Sequence, residues 1–206
     1  MELNEKQIQI LEVAEKLFAE NGFDGTSVRQ IAGHADINVA MISYYFGSKE
    51  KLLAALLLYR TSDFRIQIES VLSEEMGYLE KVDAIVELII RRIHRNRRVY
   101  KIIHFEYSNL SRKLDFANYI ERKKENFSLI ERFVKEGQEK GVFSKNINIQ
   151  LIGPTILGTY FNFYYNKRFF QAMHGLDPET SFEEYIFNVI TPHIQNTIKA
   201  LLTYEI

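Results

Sequence analysis

An all-α fold is what this sequence predicts, and three observations predict it. The 206 residues include only 3 Pro and 10 Gly, both below the average usage of roughly 5% and 7%, so helices meet few breakers. Apolar residues recur at i, i+3 and i+4 along most of the chain, without the sustained alternation of a half-buried strand. With 46% hydrophobic and 26% charged residues the composition is globular, and the length is enough to bury a core in one compact unit or in a small domain plus a larger one.

The first helix is read over residues 4–21, where Ile10, Leu11, Ala14, Leu17 and Phe18 form one apolar face and Asn21-Gly22 supplies the stop. Thr26 or Ser27 caps a second helix of about two turns, whose stripe is Val28, Ile31, Ala32 and Ala35. Asp36 tolerates the left-handed conformation that ends it, and Asn38 is placed to cap the third helix, Val39 to Phe46. That helix hides Ile42 and Phe46 at i, i+4 and ends at Gly47. Ser48 opens a fourth helix with a partial capping signal, and no breaker follows until about residue 72. Beyond Gly77 helices are expected over 78–95, 97–110, 114–140, 148–173 and 182–205, which makes about nine in all. Pro154 and Pro192 should bend or start the last two. The domain boundary is placed near residue 64, giving domains 4–64 and 65–206, the second joined to the first by the long fourth helix.

Several function classes are excluded at this level. The absence of Cys removes disulfide scaffolds, thiolate metal sites and cysteine nucleophiles, and fits a reducing cytoplasm. The N-terminus has acids among its apolar residues and no basic start, which predicts no signal peptide. The longest apolar run, Leu52 to Leu58, is far short of the roughly 18 residues a bilayer span requires, so no membrane partner is expected. A formal net charge of -1 points to no polyanion by bulk charge. No Gly-rich phosphate loop, nucleophile elbow or metal-binding helix motif is present, so no catalytic residue, metal ligand or cofactor is assigned.

Two short helices around a tight turn, over about 27–46, form a helix-turn-helix pattern whose second helix has the geometry to enter a major groove. Any small helical domain can contain a similar corner, so the residues decide. The stretch FDGTSVRQIAGHADINVAMISYYFGSKEKLL, with the preceding AEKLFAENGF, closely resembles the DNA-binding region of the tetracycline-repressor (TetR) family of bacterial transcriptional regulators. The resemblance covers roughly residues 4–64, and the rest of the chain resembles the family in length and helical content only. Asp36 stands where the family commonly has glycine in its turn.

The resemblance implies DNA contacts from Ser27 and Arg29 on the second helix and base-facing positions at Asn38, Val39, Ala40 and Ser43 on the third. Asn can pair bidentately with adenine, and Val39 and Ala40 can pack on a thymine methyl, although Asn38 serves equally well as a cap. Tyr44, Tyr45 and Lys49 match phosphate-contacting positions. Against this, residues 1–56 carry more acids than bases, which predicts few phosphate neutralisations and a shallow salt dependence.

For the remainder, the resemblance implies a small-molecule inducer cavity and a dimerisation surface. The ligand half is rich in aromatics, so a small, largely apolar or aromatic inducer is expected, with His94, Tyr100, His104, Tyr107, Phe127, Tyr160 and Tyr164 as candidate contacts. The dimer interface is placed on the last two helices at Gly158, Thr159, Ile186, Ile190, Ile194, Ile198 and Leu201. The basic run over residues 91–101 is expected to face solvent, flanking DNA or the acids Glu12, Glu15 and Glu20 of the first helix. What the resemblance implies is a ligand-responsive, cytoplasmic repressor that binds double-stranded palindromic operator DNA as a homodimer. The alternatives are a helical DNA- or protein-binding module without ligand response, and a helical enzyme.

Overall fold

The computed structural model describes residues 3–108, 116–176 and 180–204. Every regular element among them is helical: α1 Glu5–Asn21, α2 Val28–His34, α3 Val39–Phe46, α4 Lys49–Thr61, α5 Phe64–Ser73, α6 Tyr78–Arg95, α7 Arg97–Ser108, α8 Ala117–Glu139, α9 Ile152–Tyr165, α10 Lys167–His174, α11 Thr180–Tyr185 and α12 Thr191–Thr203. A single 3-10 turn, Ile149–Leu151, leads into α9, and a π-helical stretch, Ile186–Ile190, links α11 to α12. The chain divides into two compact units, residues 1–65 with 93–125 and residues 66–92 with 126–206.

Three helices expected to run unbroken are interrupted. The expected fourth helix stops at Thr61, where the Thr61 hydroxyl donates to the Leu57 carbonyl at 2.7 Å and the Ser62 hydroxyl to that of Tyr59 at 3.0 Å. Side chains that bond back to the preceding turn compete with the backbone ladder, and two in succession followed by Asp63 end it. The expected helix over 148–173 divides at Asn166, whose amide donates to the Asn162 carbonyl at 2.8 Å while its backbone leaves the helical region at φ -95°, ψ 25°. Before α12 the Thr191 N–H and hydroxyl both turn to the Ile186 carbonyl, a five-residue closure just ahead of Pro192, which has no N–H to continue the regular ladder.

The first unit is organised around α1. Its apolar face, Ile10, Leu11, Ala14, Leu17 and Phe18, packs with Ile31 and Ala32 of α2, Ile42 and Phe46 of α3, Leu52, Leu53, Leu56 and Leu57 of α4, and Val99 and Ile102 of α7. Burial of such side chains is worth about 1.5–3 kcal/mol each, which explains why seven- and eight-residue helices too short to persist alone are held in place. Ion pairs brace α4 against α1: Arg60 Nε meets Glu15 at 2.7 Å and its guanidinium reaches Glu12 at 3.8 Å. From the basic run it is Lys101 that reaches α1, donating to the Ala19 carbonyl at 2.7 Å. A cation at a helix C-terminus complements the dipole there. The pairing expected between this run and the acids of α1 is thus made at Glu12 and Glu15 by Arg60, because α4 lies alongside that stretch of α1.

In the second unit, Val82, Ile85, Val86 and Ile90 of α6 share the core with Leu129 and Phe133 of α8, Ile156, Tyr160 and Phe163 of α9, and Ile194, Ile198 and Leu202 of α12. Gln195 and Lys199 of α12 bond the backbone carbonyl and carboxylate of Asp83 at 3.0 and 2.8 Å, fixing α12 against α6. Tyr78 stacks on Phe133 and meets Phe143 edge-on, and its hydroxyl donates to Glu136 at 2.7 Å. The Lys140 ammonium and this hydroxyl hold the exposed Glu136 carboxyl below its usual range, and Lys140 is raised in return.

Candidate nucleic-acid interface

The α2–α3 corner is fixed by caps at every end. Ser27 caps α2 in a full capping box, its hydroxyl accepting from the Gln30 N–H at 3.2 Å while the Gln30 side chain accepts from the Ser27 N–H at 2.8 Å. Thr26, fully buried, donates its hydroxyl to the carbonyls of Gly22 and Leu17 and so closes the loop after α1. Asp36 takes φ 49°, the only positive φ at a non-glycine among the described residues, so the turn keeps the left-handed geometry that the sequence assigned to it. From α1, Gln9 donates to the Ala35 carbonyl at 2.9 Å and pins the turn to the core. Asn38 caps α3, its Oδ1 accepting from the Ala40 N–H at 2.9 Å, and Gly47 ends it at φ 82°.

This frame sorts α3 into two faces. Ile42 and Phe46 are buried in the first unit, whereas Val39, Ala40, Ser43 and Tyr44 are exposed together. These four stand at i, i+1, i+4 and i+5, one side of a helix. Tyr44 is 83% exposed and meets Tyr45 edge-on at 5.1 Å, while Tyr45 is half-buried against the core. Ser27 and Arg29 are exposed at the start of α2. The corner therefore brings Ser27, Arg29, Asn38, Val39, Ala40, Ser43 and Tyr44 to the surface of one small domain.

Lys49 is placed differently from the phosphate contact implied by the resemblance. Its ammonium donates to the carbonyls of Phe23 and Thr26 at 2.8 and 2.9 Å and lies 4.3 Å above the Phe23 ring. Two of its three N–H donors thus tie the start of α4 to the loop that launches α2. Sequence spacing could not show this, because the carbonyls that receive Lys49 are presented by a loop folded back on α1.

The other candidate residues are less concentrated. His94 is buried, Tyr100 half-buried and His104 exposed, all three in the first unit. The second unit contains Phe127, half-buried, and Tyr160, fully buried and stacked on Tyr164 at 5.8 Å. The side chain of Tyr107 lies outside the described residues. Of the residues assigned to a dimer face, Ile186, Ile194 and Ile198 are no more than 2% exposed. They fill their own unit's core and have no surface to offer a second copy, which corrects that part of the assignment. The π-helical stretch before α12 and the packing of α12 on α9 and α6 turn them inward. Gly158 and Leu201 are exposed, and Thr159 and Ile190 are half-exposed. A groove of about 580 Å³ runs beside Leu201, between Leu151 and Thr155 near the start of α9 and Thr197 and Tyr204 near the end of α12.

No helix among the described residues is long and apolar enough to cross a membrane, and no group of three metal-ligating side chains is present among them. Residues 10–56 match the family of bacterial regulatory proteins of the tetR type, and residues 79–183 match the tetracyclin repressor-like C-terminal domain. The chain is 33% identical over 137 residues to the probable HTH-type transcriptional regulator YttP of Bacillus subtilis, an alignment covering 64% of this chain and 64% of that relative, just under two thirds of its length. Among solved structures, the fatty acid degradation regulator FadR from Bacillus halodurans has the same fold over 100% of both chains, with a TM-score of 0.79 at 20% identity. The transcriptional regulator FadR from Bacillus subtilis, solved in complex with stearoyl-CoA, matches 95% of this chain and 98% of its own with a TM-score of 0.74 at 18% identity. With its helix-turn-helix corner in the one matched segment and its helical C-terminal domain in the other, the chain belongs to the tetR family of bacterial regulatory proteins.

Proposed function

We propose that this protein is a ligand-responsive transcriptional repressor. As a homodimer it sets two copies of α3 into successive major grooves of a palindromic operator, and it lets go when a small, largely apolar ligand occupies the helical C-terminal domain. The observation that carries this reading is the exposed face Val39, Ala40, Ser43 and Tyr44 on a capped helix whose opposite face is core. A solvent-facing side is common to surface helices, and what supports the reading is that this one is the second helix of a capped helix-turn-helix in the segment matched to the tetR family. Ligand binding acts by its differential affinity for a conformer in which the two recognition helices no longer match the groove spacing. The exposed Gly158 and Leu201 and the half-exposed Thr159 and Ile190 support a dimer face along α9 and the segment leading through α12.

An acyl thioester of coenzyme A, apolar along its chain though polar and charged in its nucleotide part, is the first inducer class to test, because B. subtilis FadR was solved with stearoyl-CoA and the aromatic side chains around Tyr160, Tyr164 and Phe163 offer apolar surface to the chain. The test is selection from random duplex DNA by the purified protein, followed by titration of stearoyl-CoA into the complex. An enriched palindrome with half-sites about one helical turn apart, or a multiple of it, is expected. Absence of any enriched sequence from a folded protein would sink the repressor reading, and an operator complex indifferent to every acyl-CoA would remove the ligand class alone.

A further inference from the structure

The chemistry of the exposed face of α3 restricts what it can read, an inference that rests on the repressor reading above. In the major groove bidentate recognition of guanine is made most often by Arg or Lys, and that of adenine by Asn or Gln. Val39, Ala40, Ser43 and Tyr44 supply none of these. The amide nearest to this face, Asn38, has its oxygen engaged by the Ala40 N–H at 2.9 Å, so it is not poised to present oxygen and nitrogen together to an adenine edge. Val39, 41% exposed, and Ala40 beside it offer methyl groups at the very N-terminus of α3. This is the end of a recognition helix that meets base edges, and the base feature that methyl groups complement is the C5-methyl of thymine.

We infer that this protein recognises its half-site chiefly through thymine methyl groups packed against Val39 and Ala40. The operator it selects has an A·T-rich core under α3, with guanine contacts confined to the positions reached by Arg29 from the start of α2. Ser43, which can donate or accept, tolerates either pair, and Tyr44, extending from the far end of the same face, bonds the phosphate backbone. The specificity determinants are accordingly two small apolar side chains and one arginine, in a domain whose recognition helix carries no charge at all.

The test takes the palindrome enriched from random DNA and replaces each thymine of the half-site in turn by deoxyuridine, which removes only the C5-methyl. Binding of the full chain is then measured. At one or two thymines per half-site, affinity is expected to fall about fourfold, the worth of one buried methyl-sized group. A Val39→Ala variant should bind more weakly and lose its sensitivity to deoxyuridine at one of those positions while keeping it at the other. A palindrome whose core under α3 is G·C, or binding indifferent to deoxyuridine at every thymine, overturns the inference while leaving the repressor reading intact. Failure to enrich any palindrome overturns both.

Discussion

Lys49 shows how much a single residue's role depends on what the chain folds around it. By position at the opening of α4 it resembles a phosphate contact, yet its ammonium is bonded to the Phe23 and Thr26 carbonyls and sits over the Phe23 ring. Charge-assisted hydrogen bonds to partly buried carbonyls are stronger than neutral ones. Replacing Lys49 by Met is therefore expected to lower stability by about 1–3 kcal/mol, read as a shift of the urea midpoint. The salt dependence of operator binding should be unchanged, whereas loss of a phosphate contact would reduce the slope by about 1 per site. Asp36 is the opposite case. Its left-handed turn is legible from residue type, because Asp tolerates that region through local hydrogen bonds, and the backbone takes it at φ 49°.

At the scale of elements, Ser27, Asn38 and Ser48 cap the starts of α2 to α4 where the sequence puts them, and Asn4 caps α1 in the same way, since a cap is a contact between near neighbours and needs no tertiary information. Helix ends at Ser62 and Asn166 were not legible. Neither Ser nor Asn forbids helix, and whether such a side chain bonds back to the preceding turn or points to solvent depends on its surroundings. Close approach is equally a tertiary matter. Gly137 in α8 is buried with the Phe143 ring directly against its Cα, so a Cβ there would overlap the ring edge. Gly137→Ala is expected to cost about 1–3 kcal/mol by overpacking, despite the better helix propensity of alanine, and calorimetry should show a lowered Tm. A Phe143→Leu replacement in the same chain should recover part of the loss. If Gly137→Ala instead raises Tm, the contact between α8 and Phe143 is not as close as described.

For the whole molecule, charge decides how strongly salt should weaken the proposed operator complex. The exposed lysines and arginines of α2, α3 and the first turn of α4 are Arg29 and Lys51 alone, with Lys49 turned inward. Two such groups in each subunit of a dimer release counterions from about four phosphates, so log K against log salt should fall with a slope of roughly -4. A slope near -8 or steeper, measured by anisotropy between low and physiological salt, would mean that cations elsewhere, such as Arg95, Arg97 and Arg98, also touch DNA. Of the acids of α1, Glu12 and Glu15 share Arg60, which offsets part of their charge, whereas Glu5 and Glu20 stay exposed.

By itself the sequence determined the all-helical class, the four-helix start of the chain and which residues of α2 and α3 form the exposed face proposed to read DNA. All three rest on local properties: apolar period, caps, a left-handed turn residue, and a short motif in which neighbours along the chain are neighbours in space. Only the tertiary structure decided which isoleucines of the segment leading through α12 stay inside, that α7 shares the core of α1 through Val99 and Ile102, and that Lys49 serves the loop before α2. An apolar stripe looks the same in sequence whether it covers its own core or a second copy's, and a lysine looks the same whether a phosphate or a carbonyl accepts its hydrogen bonds. What separates these cases is burial against residues far away in the chain, and burial is a property of the folded whole.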